Sequence, residues 1–298
     1  MKKSEEKCTY DDIVKQLRSN GFARVRLIDP EGTHSKLVES AKKWFDSSEK
    51  SETKTEAGYG GMRSVGYYLQ TCGEEFEVRM KCDEKKVPGP SSRNERFDRA
   101  LIEAYETYSG AFLRIVKRLE IDLRVECLTP LVQHPEDAPC TLHSIRMCKY
   151  LKCGESTVCP THTDVGFLTL IPYATVPGLE CQNLNGDWIK VEENRDGKSD
   201  AVLIVGDTME YVTGIPATPH RVVHESGTRT SVSFHTYARP DAKIKSNKVD
   251  DTILVRDLYE RKRTKNRAIK SVFKDNGVFK KEKDVADVSE MLKKFLVL

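Results

Sequence analysis

The sequence predicts a mainly β fold with flanking helices, and three observations predict it. Between residues 141 and 240, short runs rich in Val, Ile, Thr, Tyr and Phe are separated by turn residues. Outside that span the apolar residues recur at helical spacing instead. Within it, Asn185-Gly186 is a hairpin turn signal between strand-like runs. Short strands at this spacing suggest a sandwich or a jelly roll.

In chain order, Thr9 and Asp12 resemble a capping box, with Asp in place of Glu or Gln. Ile13 and Leu17 mark the apolar face of a first helix, which Gly21 stops. Residues 22–28 alternate apolar and polar, as a half-buried strand does. Leu37, Val38, Ala41, Trp44 and Phe45 define a second helix, and the polar stretch 46–57 reads as loop or weak helix. Residues 59–68, rich in Gly and aromatics, read as loop with a short strand, and 85–94, with Pro88, Gly89 and Pro90, as a linker. A long helix follows, its stripe running from Phe97 through Leu101, Tyr105, Tyr108, Phe112 and Val116 to Leu119. Strands are expected at 142–150, 166–171, 188–191, 201–205 and 231–237, with another beginning at Pro219-His220. After Pro240 the chain turns polar and helical, ending in an amphipathic helix over 285–298. The expected organisation is one domain over 1–298: a mostly helical part (1–140), a strand-rich core (141–240) and a C-terminal helical segment (241–298).

Composition narrows the function classes. Of 298 residues, 38% are hydrophobic, enough for a real core, and Lys+Arg (49) nearly cancels Asp+Glu (46). That balance argues against a dedicated nucleic-acid or membrane-surface protein. No apolar run approaches the roughly 20 residues of a membrane span, and the N-terminus lacks a signal-peptide core. Nine cysteines, with no C-x-x-C pair, argue against a secreted disulfide framework and a zinc ribbon, and free thiols fit a reducing compartment. The expectation is a cytoplasmic monomer acting on a small molecule, with no membrane or nucleic-acid partner.

The chemistry centres on Thr161-His162-Thr163-Asp164. On an extended strand, residues two apart point to the same side, so His162 and Asp164 can hold one metal ion together. A third ligand must come from elsewhere. His220, in Pro219-His220-Arg221-Val222, is the first candidate, with His224 and His235 in competition. Two imidazoles and one carboxylate on one face of an ion form the facial triad of Fe(II) oxygenases, which leaves three positions open.

These residues stand in an ordered series. His162-Thr163-Asp164 is followed by Pro177-Gly178-Leu179-Glu180, Asn185-Gly186-Asp187-Trp188, Val205-Gly206-Asp207, Pro219-His220-Arg221-Val222 and Arg229-Thr230-Ser231. The series resembles the 2-oxoglutarate/Fe(II) dioxygenases of the isopenicillin-N-synthase-like type, most specifically over residues 145–240. The resemblance implies a double-stranded β-helix (jelly roll) core. It also implies Fe(II), 2-oxoglutarate and O2 as cofactor and co-substrates, with release of succinate and CO2. It makes His162, Asp164 and His220 the iron ligands and places Arg229 and Ser231 on the far carboxylate of 2-oxoglutarate. A guanidinium fork grips a carboxylate bidentately, and a hydroxyl two residues on faces the same way. Tyr150 aligns with a family tyrosine whose hydroxyl contacts the co-substrate. Its neighbours Cys148, Lys149 and Leu151 stand where the family carries Asn, Tyr and Pro, so the pocket is partly altered. Gly206-Asp207 resembles a structural turn.

Hydroxylation, desaturation, ring closure and demethylation share a first step, and the sequence does not choose among them. His235 stands where relatives carry a pocket-lining phenylalanine and could bond a polar substrate. Tyr59, Arg63, Tyr67 and Tyr68 are further lining candidates, and a substrate acid could pair with Arg63 or Arg146. The basic segment 256–270 reads as a solvated helix face. The rival readings are an iron oxidase of the same fold that does not use 2-oxoglutarate, and a sensor that binds without turnover.

Overall fold

The computed structural model describes residues 12–29, 31–47, 66–70, 72–79, 94–125, 128–133, 143–151, 157–193, 200–223, 227–248, 250–262 and 264. Helix α1 (Ile13–Asn20) starts at Asp12, whose side chain makes no cap bond, and stops where Gly21 donates its N–H to the Leu17 carbonyl. Thr9, the other half of the expected capping box, lies outside the described residues. Strand β1 (Phe22–Val25) is shorter than the alternation suggested. The Asp29 carboxylate accepts the N–H groups of Thr33 and His34 and so caps α2 (Thr33–Asp46), which buries Leu37, Ala41, Trp44 and Phe45. Strands β2 (Gly66–Gln70) and β3 (Gly73–Arg79) form a hairpin. Helix α3 (Glu95–Leu123) begins at Asn94, whose side chain accepts the Phe97 N–H, and the short α4 (Leu128–Val132) follows.

The strands then run in close succession: β4 (Ser144–Leu151), β5 (Thr157–His162), β6 (Leu168–Pro172), β7 (Leu179–Gln182), β8 (Trp188–Lys190) and β9 (Ala201–Val205). Helix α5 (Asp207–Thr213), β10 (His220–Val223), β11 (Thr228–His235), β12 (Lys243–Lys245) and β13 (Thr252–Leu254) complete the series, and residues 255–262 are helical (α6). Seven strands make one sheet in the order β1-β9-β6-β11-β4-β3-β2, and four make a second, β5-β10-β7-β8. Neighbours in both are antiparallel. The fold is a jelly roll with flanking helices.

The large sheet has two different faces. Ile145, Met147, Phe76, Val78, Leu168, Leu170, Val232 and Phe234 point outward and pack under α1, α2 and α3 in the main core. Trp44 of α2 and Phe97 of α3 stack on Phe76, with centroids 4.6 and 5.9 Å away. The opposite face looks into the jelly roll. There Phe22, Ile171, Val202 and Ile204 meet Val158, Leu179, Cys181 and Val222 of the small sheet.

Several elements differ from the sequence expectation. Strands β3 and β7 and helix α4 were not anticipated, and the extended strand expected to carry both His162 and Asp164 ends, as β5, at His162. The Asn185-Gly186 turn joins β7 to β8, its loop braced by the Asn183 side chain. The β12–β13 hairpin stands where helix was expected after Pro240, because Ile244 and Ile253 bury in a third small core with Tyr237 and Tyr259. The expected loop over 48–57, most of the linker at 85–94 and the helix at 285–298 lie outside the described residues. Cys72 is disulfide-bonded, where free thiols were expected throughout; Cys148, Cys159 and Cys181 are free. Cysteine pairing follows proximity in the fold, which C-x-x-C spacing does not report. Among the described residues, no helix is long and apolar enough to cross a membrane.

Candidate metal centre

His162 ends β5, Asp164 lies two residues on in the following loop, and His220 opens β10, directly opposite His162 in the β5–β10 register. One ligand atom from each lies within 4.8 Å of the others, the one such group found among the described residues. The two rings approach to 4.2 Å between centroids. Both histidines are held in the same way. Nδ1 of His162 lies 2.8 Å from the Pro160 carbonyl and Nδ1 of His220 lies 3.1 Å from the Thr218 carbonyl, each two residues upstream. A carbonyl can only accept, so each Nδ1 carries a proton, and the tautomer of the neutral ring that this fixes has its lone pair on Nε2. The Asp164 carboxylate is divided similarly. Its Oδ2 accepts the Thr169 hydroxyl at 2.6 Å, while Oδ1 faces Nε2 of His162 at 3.8 Å.

Asp164 and His220 are buried, but the His162 side chain is 39% exposed, so the site opens on that side. Partial burial and the neighbouring His220 lower the His162 pKa, which favours the neutral ring that can ligate. Burial alone would raise the Asp164 pKa. The surrounding His235, His220 and His162 and the Thr169 hydrogen bond more than offset it and hold the carboxyl well below its usual range. Two neutral nitrogens and one hard oxygen, with no thiolate, suit Fe(II).

The loop that carries the motif is braced from behind. Asp207 donates its N–H to the Asp164 carbonyl, and its carboxylate accepts the Thr163 hydroxyl at 2.8 Å. Lys262 of α6 reaches both Thr163 Oγ1 (2.9 Å) and Asp207 Oδ2 (2.5 Å). A side chain on Gly206 would strike the Gly166 carbonyl at 2.1 Å, so the Gly206-Asp207 turn is a seat for the loop. The expectation of a wholly solvated basic face is therefore corrected at Lys262; the residues of that segment beyond 264 lie outside those described.

Side-chain alternation places a polar row on the inner face of β3, β4 and β11. On β11 it runs Arg229, Ser231, Ser233, His235, and on β4 it runs Tyr150, Cys148, Arg146, Ser144, paired in register. Arg229, 1% exposed, donates from Nη2 to Glu192 Oε2 at 2.9 Å, while Nε and Nη1 are buried with no hydrogen-bond partner among the described residues. The Ser231 hydroxyl is likewise uncommitted within them. The Arg229 guanidinium carbon lies 5.6 Å from the Tyr150 ring centroid. Gly178 packs on the same side chain, where a Cβ would meet Arg229 Nε at 2.9 Å and the Val223 carbonyl at 2.6 Å.

Three sequence expectations change here. Lys149 faces outward to Asp46 (2.7 Å) and Glu74 (3.6 Å), so it is no part of the pocket. Arg146 already meets Glu75 at 2.9 Å and Glu77 at 3.3 Å, so it is not waiting for a substrate acid. His235 is buried beside Asp164, with Nδ1 at 3.5 Å from Oδ2 and Nε2 at 2.9 Å from the Ser233 hydroxyl. Burial, followed by Arg146, lowers its pKa to about 3. Its ring nitrogens therefore have partners within the chain, which favours a positioning role over substrate contact. Tyr59, Arg63 and His224 lie outside the described residues; Tyr67 is buried on β2 against Trp44, with its hydroxyl on Glu74. Sequence reasoning missed Thr169, Glu192, Glu75 and Glu77. The first two signal nothing locally, whereas Glu75 and Glu77 lie on a run of strand alternation, Gly73–Arg79, that carries its own signal.

Comparison with known proteins agrees with this geometry. Residues 141–236 match the 2OG-Fe(II) oxygenase superfamily. A crystal structure of a 2OG-Fe(II) oxygenase family protein from Caulobacter crescentus superposes with a TM-score of 0.68 at 18% identity, covering 88% of this chain and 95% of that one. A Neurospora crassa protein solved with alpha-KG and 5-formyluracil gives 0.66 at 17% identity, covering 85% and 88%. The rice dioxygenase for auxin oxidation gives 0.64 at 18% identity, again covering 85% and 88%. At these identities the likeness is one of fold. No curated protein sequence matches the chain.

Proposed function

We propose that this chain, whose residues 141–236 match the 2OG-Fe(II) oxygenase superfamily, an enzyme family that uses Fe(II), 2-oxoglutarate and O2, oxidises a small organic substrate at an iron held by His162, Asp164 and His220. The observation that carries the reading is the convergence of these three side chains with both Nε2 lone pairs turned inward. O2 is the oxidant; iron held there would activate it with 2-oxoglutarate as the co-reductant, one oxygen atom ending in succinate as CO2 leaves and the other serving to oxidise the substrate.

The chain's own residues do the rest. His162 and His220 present their Nε2 atoms, and Thr169 turns one oxygen of Asp164 away so that the other faces the metal position. Arg229 and Ser231 receive the far carboxylate of 2-oxoglutarate through the donors that the fold leaves uncommitted. Two buried unpaired guanidinium nitrogens are destabilising unless a ligand satisfies them, which is the fit expected of a carboxylate subsite. Tyr150 walls this subsite beside Arg229. The substrate faces the polar floor made by Glu75, Glu77, Arg146 and Ser233, which favours a polar, hydrogen-bonding molecule over an apolar one. Hydroxylation or desaturation are both compatible with this floor.

The test is Fe(II) binding to the apo-protein, followed by an assay of succinate release against panels of polar and apolar small molecules. One iron per chain, and succinate formation raised by polar compounds alone, is the expected result. Iron bound with no 2-oxoglutarate consumed in the presence of any compound would replace this reading with that of a non-catalytic binder.

A further inference from the structure

Glu192 follows β8 and is 1% exposed, and its carboxylate sits in a cradle of backbone donors. Oε1 accepts the Ala174 N–H at 2.9 Å, and Oε2 accepts the N–H groups of Gly178 and Leu179 at 2.8 Å each. Oε2 also receives Arg229 Nη2 at 2.9 Å. Burial would raise the Glu192 pKa, but Arg229 and the backbone donors more than offset it and keep the group ionised. The arginine that meets the co-substrate is therefore already neutralised by a carboxylate of its own chain.

We propose that Glu192 is a positioning and specificity residue of the co-substrate subsite. It fixes Arg229 by one nitrogen and cancels its net charge. The far end of the 2-oxo acid is then recognised by hydrogen bonds from Arg229 Nε and Nη1 and the Ser231 hydroxyl, with little help from net charge. This rests on the reading that Arg229 and Ser231 form that subsite. Three features support it. The pair is fully buried, so Glu192 cannot swing into solvent to release the cation. The three backbone donors hold it in place independently of Arg229. Gly178, which supplies one of those donors, also lies against Arg229, so loop and guanidinium are seated together. An incoming carboxylate must share one cation with Glu192, whereas a neutral acceptor of the same shape does not add a second negative charge.

The experiment titrates the anaerobic Fe(II) protein with 2-oxoglutarate and with 2,5-dioxohexanoate, in which a methyl group replaces one far oxygen. The visible metal-to-ligand band reports binding of each. In the wild-type chain the preference for the carboxylate is expected to be about tenfold or less, equivalent to about 1.4 kcal/mol. In Glu192→Gln, 2-oxoglutarate should bind about tenfold more tightly while the neutral analogue changes less than about threefold. Equal weakening of both ligands in Glu192→Gln would reduce Glu192 to a structural role and overturn the proposal. So would a wild-type preference above about a hundredfold, a result available even if Glu192→Gln does not fold. Bound iron that gives no band with either acid overturns the co-substrate reading itself, and this proposal with it. That outcome differs from the others because it needs no variant.

Discussion

At the scale of single residues, the site is defined by which atoms are already occupied. Each of the two histidines donates a hydrogen bond from Nδ1 to a carbonyl two residues upstream, and one Asp164 oxygen accepts the Thr169 hydroxyl. Loss of iron in His162→Ala, Asp164→Ala and His220→Ala is the expected outcome, read as metal content after equilibration with Fe(II). Thr169→Val keeps the shape but frees the Asp164 carboxylate to rotate. Iron affinity should fall by about 10–100-fold, while Thr169→Ser should stay near wild type in a competition titration with a chelator. Arg229→Ala has a double effect. It removes the proposed co-substrate contact and also leaves the buried Glu192 carboxylate without its counter-charge, held by backbone donors alone, so the fold should lose about 3–5 kcal/mol in denaturant unfolding. Replacing both partners with apolar residues should be much milder than the single change, and an equal loss in the two variants would contradict that account of the pair.

Among the elements, β3, which the sequence reading missed, shows how a strand pattern can invert. Gly73–Arg79 alternates perfectly well, with Phe76 and Val78 on one side and Glu75, Glu77 and Arg79 on the other. The usual rule puts the charged side in water. Here the apolar side packs beneath α2 and α3, and the charged side faces the inside of the jelly roll, with Glu77 0% exposed. The helices that cover the outer face are what reverse the rule, and helix–sheet contacts are long-range information that a local pattern does not carry. The long helix was legible because its stripe is continuous; the metal motif was legible from its ordered series of residues, although of His162 and Asp164 only the first lies on a strand and the second follows it in the loop. Glu192 and Thr169 were not legible, since only the folded register brings them to Arg229 and Asp164. The same long-range logic applies to α6. Lys262→Met should lower iron affinity several-fold, within about 1 kcal/mol for a partly exposed ion pair, by loosening the seat of the Thr163 loop. An unchanged metal titration would return Lys262 to the solvated face that the sequence suggested.

For the whole molecule, the texture of residues 141–240 pointed to a sandwich or a jelly roll and the resemblance of the motif series to the jelly roll, and the family match covers nearly that span. The N-terminal helices were legible as helices but not as the roof of the large sheet. A metal that binds the folded chain alone stabilises it, so iron at a hundredfold excess over its dissociation constant should add about 2.7 kcal/mol of stability. That should raise the melting temperature by several degrees, and EDTA should reverse the rise; an identical melting curve with and without iron would contradict a preformed site. The small sheet carries a further consequence. Strand β5 lies at its edge and pairs with β10 through an irregular register, shifted on either side of Val222. His162 is the last residue of that edge strand, Asp164 belongs to the loop beyond it, and His220 belongs to its neighbour. A metal bound by all three would rivet a frayed margin to the body of the barrel. The amide hydrogens of Val158 and Thr161 should therefore exchange with deuterium quickly in the metal-free chain and slow markedly once iron is added, while those of Leu203 and Ile204 in the sheet interior should barely change.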